Sequence, residues 1–143
     1  AARRPRRARG AGKGHGAEQV TLTHAQIEIL RQALAVVRGV PTRDHYNADW
    51  SGDPDCEAMA DAGLMLRCQT TAGARFYKVT GAGVRAVCPD ARAAVYLTGE
   101  DVTVFVTRNG GHRMRWDAPD KGRFAQGMVY RVSAQAVKFK EQQ

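Results

Sequence analysis

The chain has 143 residues, 43% hydrophobic and 25% charged, which is enough for one ordinary domain or two very small ones. No run approaches the ~20 continuous apolar residues that span a bilayer, and no apolar h-region of a secretory signal opens the chain, so neither a membrane span nor a secreted product is expected. The net charge of +8 is unevenly placed: residues 1–16 (AARRPRRARGAGKGHG) hold five Arg and one Lys with no acid, leaving 16 basic against 14 acidic side chains elsewhere.

Residues 1–19 are predicted to form a disordered basic arm, because they offer no cluster of large apolar side chains to offset the entropy of ordering. Arg3, Arg4, Arg6, Arg7, Arg9 and Lys13 suit phosphate neutralisation on DNA or RNA, which needs only charge and reach. A low-complexity terminus and a transit segment are the plainer readings of the same residues.

The first helix is expected over 23–37. Thr23 and Gln26 form a capping box, Leu22 and Ile27 a hydrophobic staple, and Ile27, Leu30, Leu34 and Val37 recur on one face. Gly39 and Pro41 are read as its stop. Residues 43–50 suit either a short helix carrying Tyr46 and Trp50 or an extended segment. Asp53 then caps a helix over 54–62 with Pro54 at its first position, and Gly63 ends it in a left-handed cap. A hairpin follows, with strands 64–68 and 75–79, and Thr80 caps a two-turn helix over 81–87 that Pro89 ends.

Beyond Asp90 short strand-like runs replace helices, at 95–97, 102–108, 112–116, 128–132 and 136–140. Asn109-Gly110 suggests a type I′ hairpin turn. Residues 91–143 are therefore expected to form a small antiparallel β meander or barrel after a first unit over 20–90. The fold class is α+β.

The segment FYKVTGAGVRAV, residues 76–87, carries the G-x-G-x-x-A spacing of a dinucleotide-binding turn. The helix that Pro89 permits is about 10 Å long, too short for a normal crossover. Strand 75–79 also has a local antiparallel partner at 64–68. Nucleotide binding is not expected, and no cofactor is. The three cysteines, Cys56, Cys68 and Cys88, are widely spaced and the four histidines are scattered, so neither a metal site nor a disulfide framework is predicted. Reduced thiols agree with a cytoplasmic location, with a nucleoid or a virion as further options. No catalytic spacing stands out, and a non-enzymatic protein is expected.

Ala62-Gly63-Leu64-Met65-x-Arg67 and Arg75-x-Tyr77-x-Val79-Thr80-x-x-Gly83 give the chain, over about 20–88, a likeness to a known group. It resembles the winged helix-turn-helix proteins, among them small phage and prophage proteins of uncharacterised function. The resemblance implies a recognition helix ending at Gly-Leu, a β-hairpin wing, and a last helix opened by Thr-x-x-Gly. It also implies DNA binding.

Between 44 and 63 lie six acids and no Lys or Arg, a composition that repels phosphates. Nucleic-acid contacts are therefore expected from the arm, from Arg67, Arg75 and Lys78 of the wing, and from Arg113 and Arg115 further on. His112, Arg113, Arg115, Trp116, Lys121, Arg123 and Phe124 interleave charge with aromatic rings in a way that suits a single strand. The alternative function is a protein-interaction or assembly module, docking a basic partner on Asp55, Glu57 and Asp61.

Overall fold

The computed structural model describes residues 21–48, 50–119 and 124–140. Its order is α1 (His24–Leu34), β1 (His45–Asn47), α2 (Pro54–Asp61), β2 (Met65–Gln69), β3 (Arg75–Val79) and α3 (Gly81–Val87), followed by β4 (Ala91–Tyr96), β5 (Asp101–Val106), β6 (His112–Trp116), β7 (Val129–Val132) and β8 (Val137–Phe139). Helices and antiparallel sheets together make the class α+β, as expected. The basic arm over 1–19, with its six cationic residues, lies outside the described residues, as do Lys121 and Arg123. No helix among the described residues is long and apolar enough to cross a membrane.

The capping box is present: Thr23 Oγ1 accepts from Gln26 N at 3.1 Å, and Thr23 N donates to Gln26 Oε1 at 3.0 Å. Leu30, Ala33 and Leu34 are buried on the inner face of α1. The helix ends three residues earlier than its apolar period suggests. Ala35 turns left-handed at φ 44°, and the Leu34 carbonyl accepts from Thr42 N and Arg43 N. Val37 and Val40 then exchange both backbone hydrogen bonds across Arg38 and Gly39, whose φ values are 53° and 79°. Two positive φ angles are what a two-residue I′ hairpin requires. Turn chemistry therefore overrides the helical period, and Val37, read from sequence as core, is 56% exposed.

Residues 45–47 are a strand, which decides between the two readings of 43–50. β1 pairs antiparallel with β3 in the register Tyr46↔Tyr77, on the side of β3 opposite β2, so the first sheet has the order β1-β3-β2. α2 begins at Pro54, with Asp53 Oδ1 accepting from Cys56 N at 3.0 Å. It ends with Leu64 N donating to Met59 O and Gly63 N to Ala60 O while Gly63 holds φ 82°. That double bond is a Schellman motif, expected from Gly63-Leu64.

The second sheet runs β7-β6-β5-β4-β8: four strands in meander, and a fifth returning beside the first. Only residues 133–136, three of them a 3₁₀ turn (Ala134–Ala136), connect its two edge strands β7 and β8. A flat sheet would place those edges about 19 Å apart, beyond the comfortable reach of a link containing a 3₁₀ turn. The sheet therefore curls towards a barrel. His112 of β6 and Phe139 of β8 meet with ring centroids 5.8 Å apart, although β5 and β4 separate their strands in the pairing order. The Asn109-Gly110 turn is not type I′, because only Gly110 has positive φ. Gly110 N donates to Thr107 O, and Thr107 N to Gly111 O, giving a three-residue loop that carries Arg108 at its tip.

Ala94, Val102, Val104, Met114 and Trp116 fill the inside of the curl. The outer face of β4 and β5 joins the first unit: Ala91 and Phe105 belong to the same apolar cluster as Leu30, Leu34, Met59, Tyr77 and Val84. The glycines of G-x-G-x-x-A explain themselves at this junction. A Cβ on Gly83 would meet the Leu64 carbonyl oxygen and lie 2.7 Å from Val79 Cγ1, and one on Gly81 would lie 2.6 Å from Asp117 Cγ. They are packing glycines on a seven-residue helix.

Candidate nucleic-acid interface

Four of the acids that precede the wing, Asp44, Asp53, Glu57 and Asp61, have structural partners. Arg67 donates through Nε to Glu57 Oε1 at 2.7 Å and through Nη2 to Asp61 Oδ1 at 2.5 Å. Tyr77 Oη donates to Glu57 Oε2 at 2.5 Å, and Arg75 Nη1 lies 3.8 Å from the same oxygen. The Tyr77 hydroxyl and Arg67 together hold the Glu57 carboxyl below its ordinary range. Lys78 lies 4.0 Å from Asp44. Glu57 and Asp61, four residues apart on one helix face, thus ground the hairpin on α2. Arg67, Arg75 and Lys78, expected to reach for phosphate, each face a carboxylate of the same chain. Asp55 alone of the three α2 acids makes no ion pair among the described residues.

Arg113 and Arg115 alternate with the inward-facing Met114, so both lie on the outer face of β6. Their environments are opposite. Arg115 is 1% exposed and donates to the Val79 carbonyl and to Asp117 Oδ1 at 2.5 Å. Asp117 also accepts from Thr103 Oγ1 at 2.9 Å, and Arg85 bonds the same threonine at 2.7 Å. Burial pushes the Asp117 carboxyl above its ordinary value against the pull of Arg115, Thr103 and Arg85. Arg115 is therefore a structural residue joining the two sheets, and its expected surface role is corrected. The stacking expectation for Trp116 and Phe124 is corrected likewise. Trp116 is 4% exposed, and its ring packs 5.1 Å from Phe124 and 5.9 Å from Tyr96.

Arg113 belongs to a different constellation. A groove of about 1490 Å³ opens between the Val37–Val40 hairpin, the β5–β6 loop and β7. Arg38, Arg108, Arg113 and Arg131 line it, with His112 beside them and Asp90 as the only acid in the lining among the described residues. Among the described residues none of these four arginines makes an ion pair or a side-chain hydrogen bond, whereas Arg31, Arg67, Arg75, Arg85 and Arg115 all pair with acids. Arg38 is placed by the left-handed turn, Arg108 by the three-residue loop, and Arg113 and Arg131 by the β6–β7 register. Unpaired guanidiniums in a concave, partly apolar site concentrate positive potential and present planar donors suited to phosphate.

Arg38, Arg108 and Arg131 were not visible as site residues in the sequence. They are separated by 70 and 23 positions, and none stands in a basic run. Among the described residues no group of His, Cys, Asp and Glu is arranged to hold a metal ion, and all three cysteines are free, with Cys56 and Cys88 buried. Comparisons with protein-family models, with curated proteins and with solved structures find no match to this chain.

Proposed function

We propose that this protein is a non-enzymatic nucleic-acid-binding protein that holds the phosphate backbone in the groove lined by Arg38, Arg108, Arg113 and Arg131, with the basic arm adding affinity. The observation that carries the reading is the convergence of four arginines on a groove whose lining, among the described residues, holds one acid and no ion pair to any of the four. Phosphate contacts of this kind position a nucleic acid without reading its bases. The likeness to winged-helix proteins is supported by α2 ending at Gly63-Leu64, by the β2–β3 hairpin and by Thr80 capping α3. In this reading the phosphate-contacting surface is the basic groove, not the acidic α2. The alternative, a basic partner docked on Asp55, Glu57 and Asp61, loses support because two of those acids already hold Arg67.

The test is fluorescence anisotropy with a mixed-sequence DNA duplex and an RNA of equal length across a salt series. The intact chain, a deletion of residues 1–16, Lys78→Gln, and a triple variant R38Q/R108Q/R131Q are compared. Binding is expected to weaken about tenfold or more in the triple variant at moderate salt and to change little in Lys78→Gln. Equal affinity of the triple variant and the intact chain, or no binding of the intact chain at low salt, sinks the reading.

A further inference from the structure

Within the groove one pair of residues carries more information than the others. Arg113 of β6 and Arg131 of β7 are direct cross-strand partners, on the same face of the sheet. Side chains in such positions start about 5 Å apart at Cβ, and like charges directly opposite one another destabilise a sheet. The rest of the row offers no relief, since it continues into Phe105 and Ala91, both buried. The adjacent row on the same face places Val129 beside Arg115, whose charge is already taken by Asp117. Arg108 and Arg38 add positive charge from the loop and hairpin, and Asp90 precedes β4, two strands away from β6.

The molecule elsewhere avoids this situation. Its other described cations mostly meet a carboxylate, and Arg92 lies 3.9 Å over the Phe139 ring. A like-charge pair kept at a groove wall, with no acid in its own or the adjacent cross-strand row, has the form of a binding site that an anion completes. Two guanidiniums side by side present parallel N–H donors to the oxygens of one phosphate group, in the bidentate manner that lysines cannot reproduce.

We infer that Arg113 and Arg131 form a clamp for a single phosphate group, and that the fold carries their mutual repulsion in the free state as the cost of binding it. This deepens the nucleic-acid reading and rests on it for the source of the phosphate, a phosphodiester; inorganic phosphate is the other source of the same chemistry.

The test uses the full chain, Arg131→Gln, Arg131→Met to keep an apolar stem, and Arg131→Lys to keep the charge. Thermal unfolding at low ionic strength is followed alone, with millimolar inorganic phosphate, and with a mixed-sequence DNA duplex. Without an anion, the Gln or Met variant is expected to melt about 1–3 °C above the intact chain, and the Lys variant not to. Phosphate should raise the melting temperature of the intact chain and leave the Gln and Met variants nearly unmoved. The slope of log K against log salt for the duplex should fall by about 0.9 on losing one contact. If neither neutral variant gains stability and both keep the phosphate response, the clamp is overturned. Duplex binding by the intact chain with an unchanged slope in both neutral variants also overturns the clamp while leaving the nucleic-acid reading intact. A phosphate response that vanishes in the neutral variants, without duplex or RNA binding, supports the clamp and overturns the phosphodiester as its ligand.

Discussion

Glu57 accepts from Tyr77 Oη and Arg67 Nε, with Arg75 3.8 Å from its second oxygen, so a single carboxylate ties α2 to both strands of the hairpin. Its pKa is lowered first by the Tyr77 hydroxyl and then by Arg67. A lowered folded-state value means stability that is present above the unfolded chain's carboxyl value, ~4.3, and lost as pH falls through the folded value beneath it. Glu57→Gln should therefore be less stable than the intact chain at pH 7 and pH 5 in urea denaturation, with the gap closing as pH falls below the unfolded carboxyl value. A constant gap across that range would show that the charge on Glu57 is irrelevant. The sequence made the acidity of this helix obvious and concealed its purpose. Arg67 is ten positions from Glu57 and Tyr77 twenty, and nothing in spacing alone says that the three side chains meet.

At the level of elements, helix ends and the local hairpin were legible because their determinants are neighbours in sequence. Thr23 with Gln26, Asp53 with Cys56, and Thr80 with Gly83 make their caps within three residues. The errors fell where local signals competed. Arg38-Gly39 closes a small hairpin and cuts α1 short, whereas the open choice at 43–50 is decided by the free edge of β3, which no local pattern announces. The two glycines of α3 give a prediction at this scale. Gly83→Ala should cost about 1–3 kcal/mol through the clash with the Leu64 carbonyl, even though alanine favours the helix by about 1 kcal/mol. Gly63→Ala meets nothing within 4 Å and should cost only the left-handed backbone, about 1 kcal/mol. Chemical denaturation of the two variants checks the order, and an equal or reversed ranking would remove the packing role assigned to Gly83.

Across the whole molecule, Arg115 and Asp117 join the sheets through Val79, Thr103 and Arg85, beside an apolar cluster that already crosses from α1 to β5. Arg115→Met should destabilise by about 3–5 kcal/mol, because it leaves Asp117 largely buried without its nearest counter-charge. R115M/D117N should recover part of that loss. If the double variant is no better than the single, the pair does not act as a unit. The raised pKa of Asp117 has the opposite sign to that of Glu57: the folded chain takes up this proton before the unfolded one, so the penalty of its charge is present at neutral pH and relieved as pH falls through the raised value.

By itself the sequence determined the α+β class, the caps, the hairpin and the five-strand character of the second half, all of which depend on residues close along the chain. Tertiary structure alone decided which cations are available. Arg113 and Arg115 look equivalent in HRMRW, yet Arg115 is buried against the Val79 carbonyl and Asp117, while Arg113 stands beside Arg131 at the groove. A guanidinium's chemistry is set by the charges and solvent around it, and those are supplied by elements far away in sequence.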